Sequence, residues 1–214
     1  MKTLLVVWGT MMLLLFGCGN NSQPSQPNQD ISTQINAFPK EPLSNDEMNS
    51  IIFMREEEKL ARDVYTTLYD KWGTPIFNNI ASSEQTHTTA VSYLLAKYGV
   101  ADPAGNNTVG AFKDTTLQKL YNQLITQGNA SVASAYVVGA TIEDLDIHDL
   151  KAALVNIDNQ DIRFVYDNLT KGSRNHLRSF YDQVVNSGGK YTPQFISQAE
   201  FDAIINSPHE TGGW

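Results

Sequence analysis

Two helical stripes in this chain carry ionisable side chains at positions where a core should be apolar. From Met54 the first stripe runs Met54, Glu58, Ala61, Tyr65, Leu68 and Trp72 in alternating steps of four and three, the seam of a helix that buries one face. After the break Trp72-Gly73-Thr74-Pro75, a second stripe runs Ile80, Glu84, His87, Val91, Leu94 and Tyr98. Glu58 lies on the first seam itself, and Glu84 and His87 share one face of the second, a turn apart. A buried ionised carboxylate without a partner costs several kcal/mol, so these groups must be matched by a proton, an arginine or a metal ion.

The same periodicity sets the fold class. Ser44-Asn45-Asp46-Glu47 has the pattern of a capping box and opens a helix that Gly73 stops near Trp72. Pro75 suits the first turn of a second helix reaching about Tyr98. A short helix is predicted over Thr115 to Gln127, a third long helix from Ser131 to about Asn156, and a fourth from about Asp158 to Asn186. A last short helix follows Ser197 and reaches about Asn206. No strand pattern competes with these elements. The expectation is an all-α, four-helix bundle of two antiparallel hairpins with a long crossover over residues 99–130.

Ahead of the bundle, Met1-Lys2 and an apolar run from Leu4 to Phe16 have the form of a secretory leader, too short for a comfortable membrane span. Leu15-Phe16-Gly17-Cys18 resembles a bacterial lipobox, which makes Cys18 the expected site of lipidation. The expected organisation is a lipoprotein signal peptide at 1–17, an acylated cysteine and disordered polar tether at 18–42, the bundle at 43–206 and a flexible tail at 207–214. That places the protein in the cell envelope, lipid-anchored, at the outer membrane if the source is Gram-negative. Once the leader is removed the formal charge is about −9, and no basic patch invites nucleic acid. Cys18 is the only cysteine, so no disulfide, cysteine-rich zinc site or four-cysteine iron site can form within the chain.

The third helix offers Val132, Tyr136, Gly139, Glu143, Asp146 and Leu150 on one stripe, and the fourth offers Ile162, Val165, Leu169, Ser173, His176 and Phe180. In an antiparallel hairpin, residues at one level are equidistant from the corner. Glu58 and His87 are so placed about Trp72-Gly73, and Glu143 and His176 about the Asn156 to Gln160 corner. Glu58, Glu84, His87, Glu143 and His176 are therefore expected to point to one place, a set of oxygen and imidazole nitrogen ligands suited to Fe or Mn, with Zn as a further option. The alternative is a metal-free polar network in which Arg62, Arg174 or Tyr65 partners the carboxylates.

The segments that carry these residues resemble a known family. Glu58-Lys59-Leu60-Ala61-Arg62-Asp63-Val64-Tyr65 with Ile80-Ala81-Ser82-Ser83-Glu84-Gln85-Thr86-His87 is similar to the first hairpin of rubrerythrin-type ferritin-like proteins. More closely, the stretch from Arg55 to Tyr65 and Gly172-Ser173-Arg174-Asn175-His176-Leu177-Arg178-Ser179-Phe180 resemble a ferritin-like family catalogued as a domain of unknown function, number 2202. The resemblance covers about residues 44–206 and implies a ferritin-like bundle with a carboxylate-bridged di-iron site. In it Glu58 matches the first-helix ligand, Glu84 and His87 the second-helix pair, Glu143 the third-helix ligand and His176 the fourth-helix imidazole. Ser173 stands where the usual fourth-helix motif has a glutamate, and Asp146, one turn from Glu143, is the expected substitute. Tyr65, Tyr136, Arg62 and Ser173 are expected around the ligands, with His148 at the surface and His209 uninvolved.

Two functions follow as expectations. The first is an envelope lipoprotein whose centre performs O₂- or peroxide-linked redox chemistry or handles iron. Its electron donor is unknown: with no four-cysteine domain in the chain, an external reductant or slow single-turnover oxidation is required. The second is a non-enzymatic binding or scaffold module whose polar centre is structural.

Overall fold

The computed structural model describes residues 30–106 and 108–213, so the leader, Cys18 and the start of the tether lie outside it. The described residues form seven helices and no strand: α1 Ile31–Ala37, α2 Asn45–Trp72, α3 Pro75–Tyr98, α4 Thr115–Gly128, α5 Val132–Ala153, α6 Gln160–Asn186 and α7 Gln198–Ile205. Helix α2 packs on α3 and α5 on α6, and the two pairs meet through α3 with α6 and α2 with α5. Local chemistry sets the ends. Ser44 and Glu47 close the capping box at the start of α2, Gly73 turns its end at φ +63°, and Pro75 occupies the first turn of α3. Glu47 also accepts the backbone N–H groups of Asp158 and Asn159, at 3.2 and 3.0 Å, which fastens the start of α2 to the corner between α5 and α6.

The apolar interior is divided in two. One cluster gathers Tyr65, Leu68, Phe77, Val138, Leu177 and Phe180; the other gathers Ile51, Met54, Val91, Leu94, Ile162 and Leu169. Between them along the helices lies a layer of buried polar side chains that includes Glu58, Glu84, His87, Glu143 and Ser173. The segregation leaves the polar layer with apolar walls at both ends and little water to screen its charges.

Helix α2 is buried on all sides from Met54 to Tyr65, because the crossover covers the face turned away from α3. The clamp is ionic. Arg55 reaches Asp102, Glu56 accepts the N–H groups of Lys113 and Asp114, and Lys59 donates to the carbonyls of Thr108 and Ala111. Asp63 takes Lys59 Nζ at 2.5 Å, Arg62 Nη2 at 2.6 Å and the Gly110 N–H at 2.9 Å. The acidic run Glu56-Glu57-Glu58 is thus split by the helical rotation into one residue that holds a loop and two that face inward.

Three boundaries differ from the sequence-based expectation. The last part of the supposed tether is ordered: Ile31–Ala37 is helical, Ile35 is fully buried, and Lys97 Nζ donates to the carbonyls of Ile35 and Phe38 at 2.9 and 3.0 Å. Seven residues give no helical period to read, and what holds them is distant in sequence. Helix α5 ends at Ala153, three residues early, where Arg163 takes the freed carbonyls of Leu154 and Ile157. The tail expected to be flexible is gripped at Glu210, which bonds Arg174 and Arg178 on α6.

Candidate metal centre

Helical period brings the expected residues together. Glu58 comes from α2, Glu84 and His87 from α3, Glu143 from α5 and His176 from α6, all between 0 and 8 % exposed. They resolve into two groups that share a member: ligand atoms of Glu58, Glu84 and His87 lie within 4.8 Å of one another, and so do those of Glu84, Glu143 and His176. Glu84 joins the two through its separate oxygens, with Oε2 at 2.8 Å from His87 Nδ1 and Oε1 at 2.7 Å from His176 Nδ1. The two imidazole rings stack with centroids 5.4 Å apart.

These approaches are close yet mostly not aligned as hydrogen bonds. Glu58 Oε1, both oxygens of Glu84, Glu143 Oε2 and His176 Nδ1 are buried without a hydrogen-bond partner. In a proton-linked network each donor lies in line with its acceptor. Here ligand atoms from three side chains crowd within 4.8 Å in each group, a spacing that could hold a metal ion. The outward ring nitrogen of His176 is fixed instead: Nε2 lies 3.0 Å from Ser83 Oγ, which turns Nδ1 inward. Two aligned bonds do occur inside, from Tyr65 Oη to Glu143 Oε1 at 2.6 Å and between His87 Nδ1 and Glu58 Oε2 at 3.1 Å.

The electrostatics follow from burial and crowding. Burial pushes the Glu58 carboxyl up to about 7, although the His87 imidazole opposes it. Burial also raises Glu143. Glu84 goes the other way: burial works against its charge, but the two imidazoles outweigh it and hold it well below the usual carboxylate range. Burial disfavours the charged imidazoles too, yet Glu84 and Glu58 lift His87 well above its ordinary value, and Glu84 and Glu143 lift His176 to about 9. The layer therefore balances its carboxylates with protons held on the two imidazoles and on raised carboxyls.

The surrounding residues sort differently. Tyr65 partners Glu143 as expected. Arg62 donates to Asp63 and to Gln85 on α3, and Arg174 to Glu210, so these bonds of the two arginines serve the crossover clamp, the α2–α3 pair and the tail. Tyr136 stacks on Phe77 at 5.8 Å, within the apolar cluster. Ser173 is 1 % exposed and donates to the Leu169 carbonyl. Asp146 is 1 % exposed, lies outside both convergent groups, and has no hydrogen bond on either oxygen. His148 is half-exposed beside Asp149, and His209 is exposed.

Sequence reasoning missed three residues. Ser83 sits next to Glu84, yet nothing in a lone serine announces a bond to an imidazole 93 positions away. Gly172 lies against the His87 ring; its signal was a glycine inside a helix, a residue usually kept there for close approach. Glu57, one position off the seam, is also 1 % exposed without a partner.

The centre is reached from outside between α3 and α6. A cleft of about 290 Å³ has His87 and His176 in its wall, Ser83, Thr86, Asn168, Lys171 and Asn175 around them, and Gly212 and Gly213 along one side. Hydroxyl, amide, ammonium and imidazole groups line it, which suits small polar molecules and ions.

A protein of Methanocaldococcus jannaschii, described only as uncharacterised, is 53 % identical over 178 residues, covering 83 % of this chain and 96 % of its own length. The crystal structure of a hypothetical protein from Methanococcus jannaschii superimposes with a TM-score of 0.79 at 54 % identity, over 80 % of this chain and 98 % of that one. The model of an uncharacterised protein domain, DUF2202, matches residues 47–208, and the chain belongs to that family.

Proposed function

We propose that this chain is a ferritin-like four-helix metalloprotein whose paired carboxylate and imidazole groups hold two metal ions, iron or manganese, and that it acts on O₂ or peroxide or handles iron. The observation that carries this reading is the position of Glu84 between two convergent groups, amid carboxylate oxygens and a nitrogen that no hydrogen bond satisfies. Glu58 and His87 would hold one ion, Glu143 and His176 the other, with Glu84 shared. Such a pair supplies one-electron redox chemistry toward O₂ or peroxide.

The chain's own residues prepare the setting. Ser83 fixes the orientation of the His176 ring so that Nδ1 faces inward, and Tyr65 donates its hydroxyl to Glu143 Oε1, where burial and the neighbouring carboxylates keep the phenol protonated. The Tyr65, Phe77 and Phe180 rings, with centroids 5.0 to 6.5 Å apart, keep water out from one end. Small reactants reach the imidazole side through the cleft between α3 and α6. Electrons come from an external donor.

Envelope attachment through Cys18 belongs to the same proposal. Among the described residues no helix is long and apolar enough to cross a membrane. Cys18→Ser should abolish lipid labelling and release the protein from the membrane fraction.

Elemental analysis and an optical spectrum after anaerobic Fe(II) loading test the centre. Close to two ions per chain are expected, and His87→Ala and His176→Ala should each lower that number while leaving the helical circular dichroism intact. The second reading, a structural polar core in an envelope scaffold module, draws on the Tyr65–Glu143 and Glu58–His87 bonds. It would be favoured by a chain that binds no divalent metal at micromolar concentration and is as stable with metal as without.

A further inference from the structure

After α7 the chain turns back along α6 and is tied to it turn by turn. Ser207 Oγ accepts from Arg178 Nη2 at 2.7 Å, and the Glu210 carboxylate accepts from Arg174 Nε at 2.7 Å and Arg178 Nη2 at 3.1 Å. The Asn175 amide pairs with the Glu210 backbone, accepting its N–H at 2.8 Å and donating to its carbonyl at 3.0 Å. Lys171 Nζ then donates to the Gly212 carbonyl and, at 3.0 Å, to Asn168 Oδ1. Lys171, Arg174, Asn175 and Arg178 recur at helical spacing, so one face of α6 is given to the tail.

That face borders the centre. Asn175 immediately precedes His176, and Lys171 immediately precedes Gly172, against which the His87 ring lies. The cleft over the imidazoles accordingly has three sides: Ser83, Thr86 and His87 from α3, Lys171, Asn175 and His176 from α6, and Gly212 with Gly213 from the tail. Both glycines have positive φ, +78° and +118°. A Cβ at position 213 would meet Lys171 Nζ at 2.6 Å and Asn168 Oδ1 at 2.8 Å. Backbone without side chains is what lets the tail lie this close.

The hold is local. These bonds run to α6, and none of residues 207–213 is buried, so lifting the tail removes no side chain from either apolar cluster. The Arg174 and Glu210 side chains are 29 and 31 % exposed, and an ion pair so placed contributes little and is screened by salt. Segments tied by partly exposed bonds open far more readily than the bundle that carries them.

We propose that residues 207–213 form a strap that closes one side of the cleft over His87 and His176, latched by Glu210 and released without unfolding the bundle, and that it controls which molecules reach the two imidazoles. Arg174 and Asn175, in the segment that supplies His176, are the latch's receivers. That the imidazoles hold metal rests on the proposed metal centre; the strap does not.

A thiol placed in the cleft tests the strap without metal. Cys18 is the only cysteine, so the full chain carrying Cys18→Ser and Thr86→Cys has one thiol, on the α3 side of the cleft. Its labelling by neutral benzyl methanethiosulfonate is followed by mass spectrometry. Ending the chain after Pro208 should speed labelling about tenfold at unchanged helical circular dichroism. Glu210→Gln, or 1 M NaCl on the parent, should act in the same direction by a smaller factor, and salt should do nothing to the shortened chain. A shortened chain labelled no faster than the parent overturns the strap. Acceleration by shortening alone, with neither Glu210→Gln nor salt having an effect, overturns Glu210 as its latch. On the metal reading, the shortened chain loaded with Mn²⁺ should also lose its metal to EDTA about tenfold faster. A chain that binds no metal would sink the centre and leave the thiol result, and with it the strap, standing.

Discussion

The His87 ring fills the space that a side chain at position 172 would need: a Cβ on Gly172 would lie 2.5 Å from both Cε1 and Nε2 of the imidazole. Helix α6 therefore sets the plane of an imidazole that α3 supplies. In an unobstructed helix interior, Gly→Ala stabilises by about 1 kcal/mol. Here the methyl must displace the ring. Gly172→Ala is expected to weaken metal binding by about tenfold or more, as when groups that orient a ligating histidine are removed. Metal per chain at fixed free Mn²⁺ is the measurement, with circular dichroism confirming unchanged helix content. Wild-type affinity in this variant would mean that the position of His87 does not matter to the centre.

Asp63 ties the crossover to α2 by gathering Lys59, Arg62 and the Gly110 N–H around one fully buried carboxylate. Removing one partner of a buried ion pair strands the other, at about 3–5 kcal/mol. Asp63→Asn strands two cations and is expected near the upper figure. Lys59→Met leaves Asp63 with Arg62 and Gly110 and is expected near the lower one. Urea unfolding gives both values, and limited proteolysis should show cleavage appearing first around residues 108–111.

Much of the centre was legible because a helix repeats on a short period. Glu58, Glu84, His87, Glu143 and His176 each lie on a seam whose other members are apolar, and equal distance from a corner fixes which of them share a level. What escaped depends on how one helix is rotated against another. Glu57 reads as one more charge in a polar run, yet it is buried. Arg55, Glu56, Lys59 and Asp63 are covered by the non-helical start of the crossover, residues 102–114, which has no periodicity to read. Helix α1 escaped for a related reason: Lys97 and the Phe38–Phe164 ring contact, at 5.3 Å, hold it from far along the chain.

The metal-free and loaded forms should respond to pH in opposite directions. The His176 imidazole is raised from 6.5 to about 9 by Glu84 and Glu143 against the effect of burial, and His87 is raised in the same direction. Such groups contribute stability that is full below 6.5 and is lost as pH rises through 9. Glu58, raised by burial from 4.5 to about 7, adds to the same trend, because between those values the folded state holds a proton that the unfolded chain releases. Glu84 is depressed and acts only in acid, where its contribution fades as pH falls below 4.5. Metal must displace the two imidazole protons and the proton still on part of the Glu58 carboxyls, so its affinity rises with pH and loading at pH 7 should release between about two and three protons per chain. Melting of the chelated protein from pH 5 to 9 should show a falling Tm, and the gap to the loaded protein should widen. Proton release on loading can be read with an indicator dye in weak buffer.

Ser173 stands one helical turn before His176 with its hydroxyl spent on the Leu169 carbonyl. The resemblance to ferritin-like proteins places a glutamate there, and a hydroxyl brings no charge to offset a second divalent ion. Ser173→Glu adds a carboxylate on the His176 face of a buried layer. Without metal it should destabilise the chain, since another buried carboxyl must be protonated or left unpaired. With metal it should raise the number of tightly bound ions in any condition where the wild type falls short of two. The two effects pull apart in one experiment: the Tm of the variant should lie below wild type with chelator present and approach or exceed it with saturating Mn²⁺. A variant destabilised equally in both conditions, with no gain in bound metal, would show that position 173 does not address the second ion and that the charge balance is completed elsewhere in the layer.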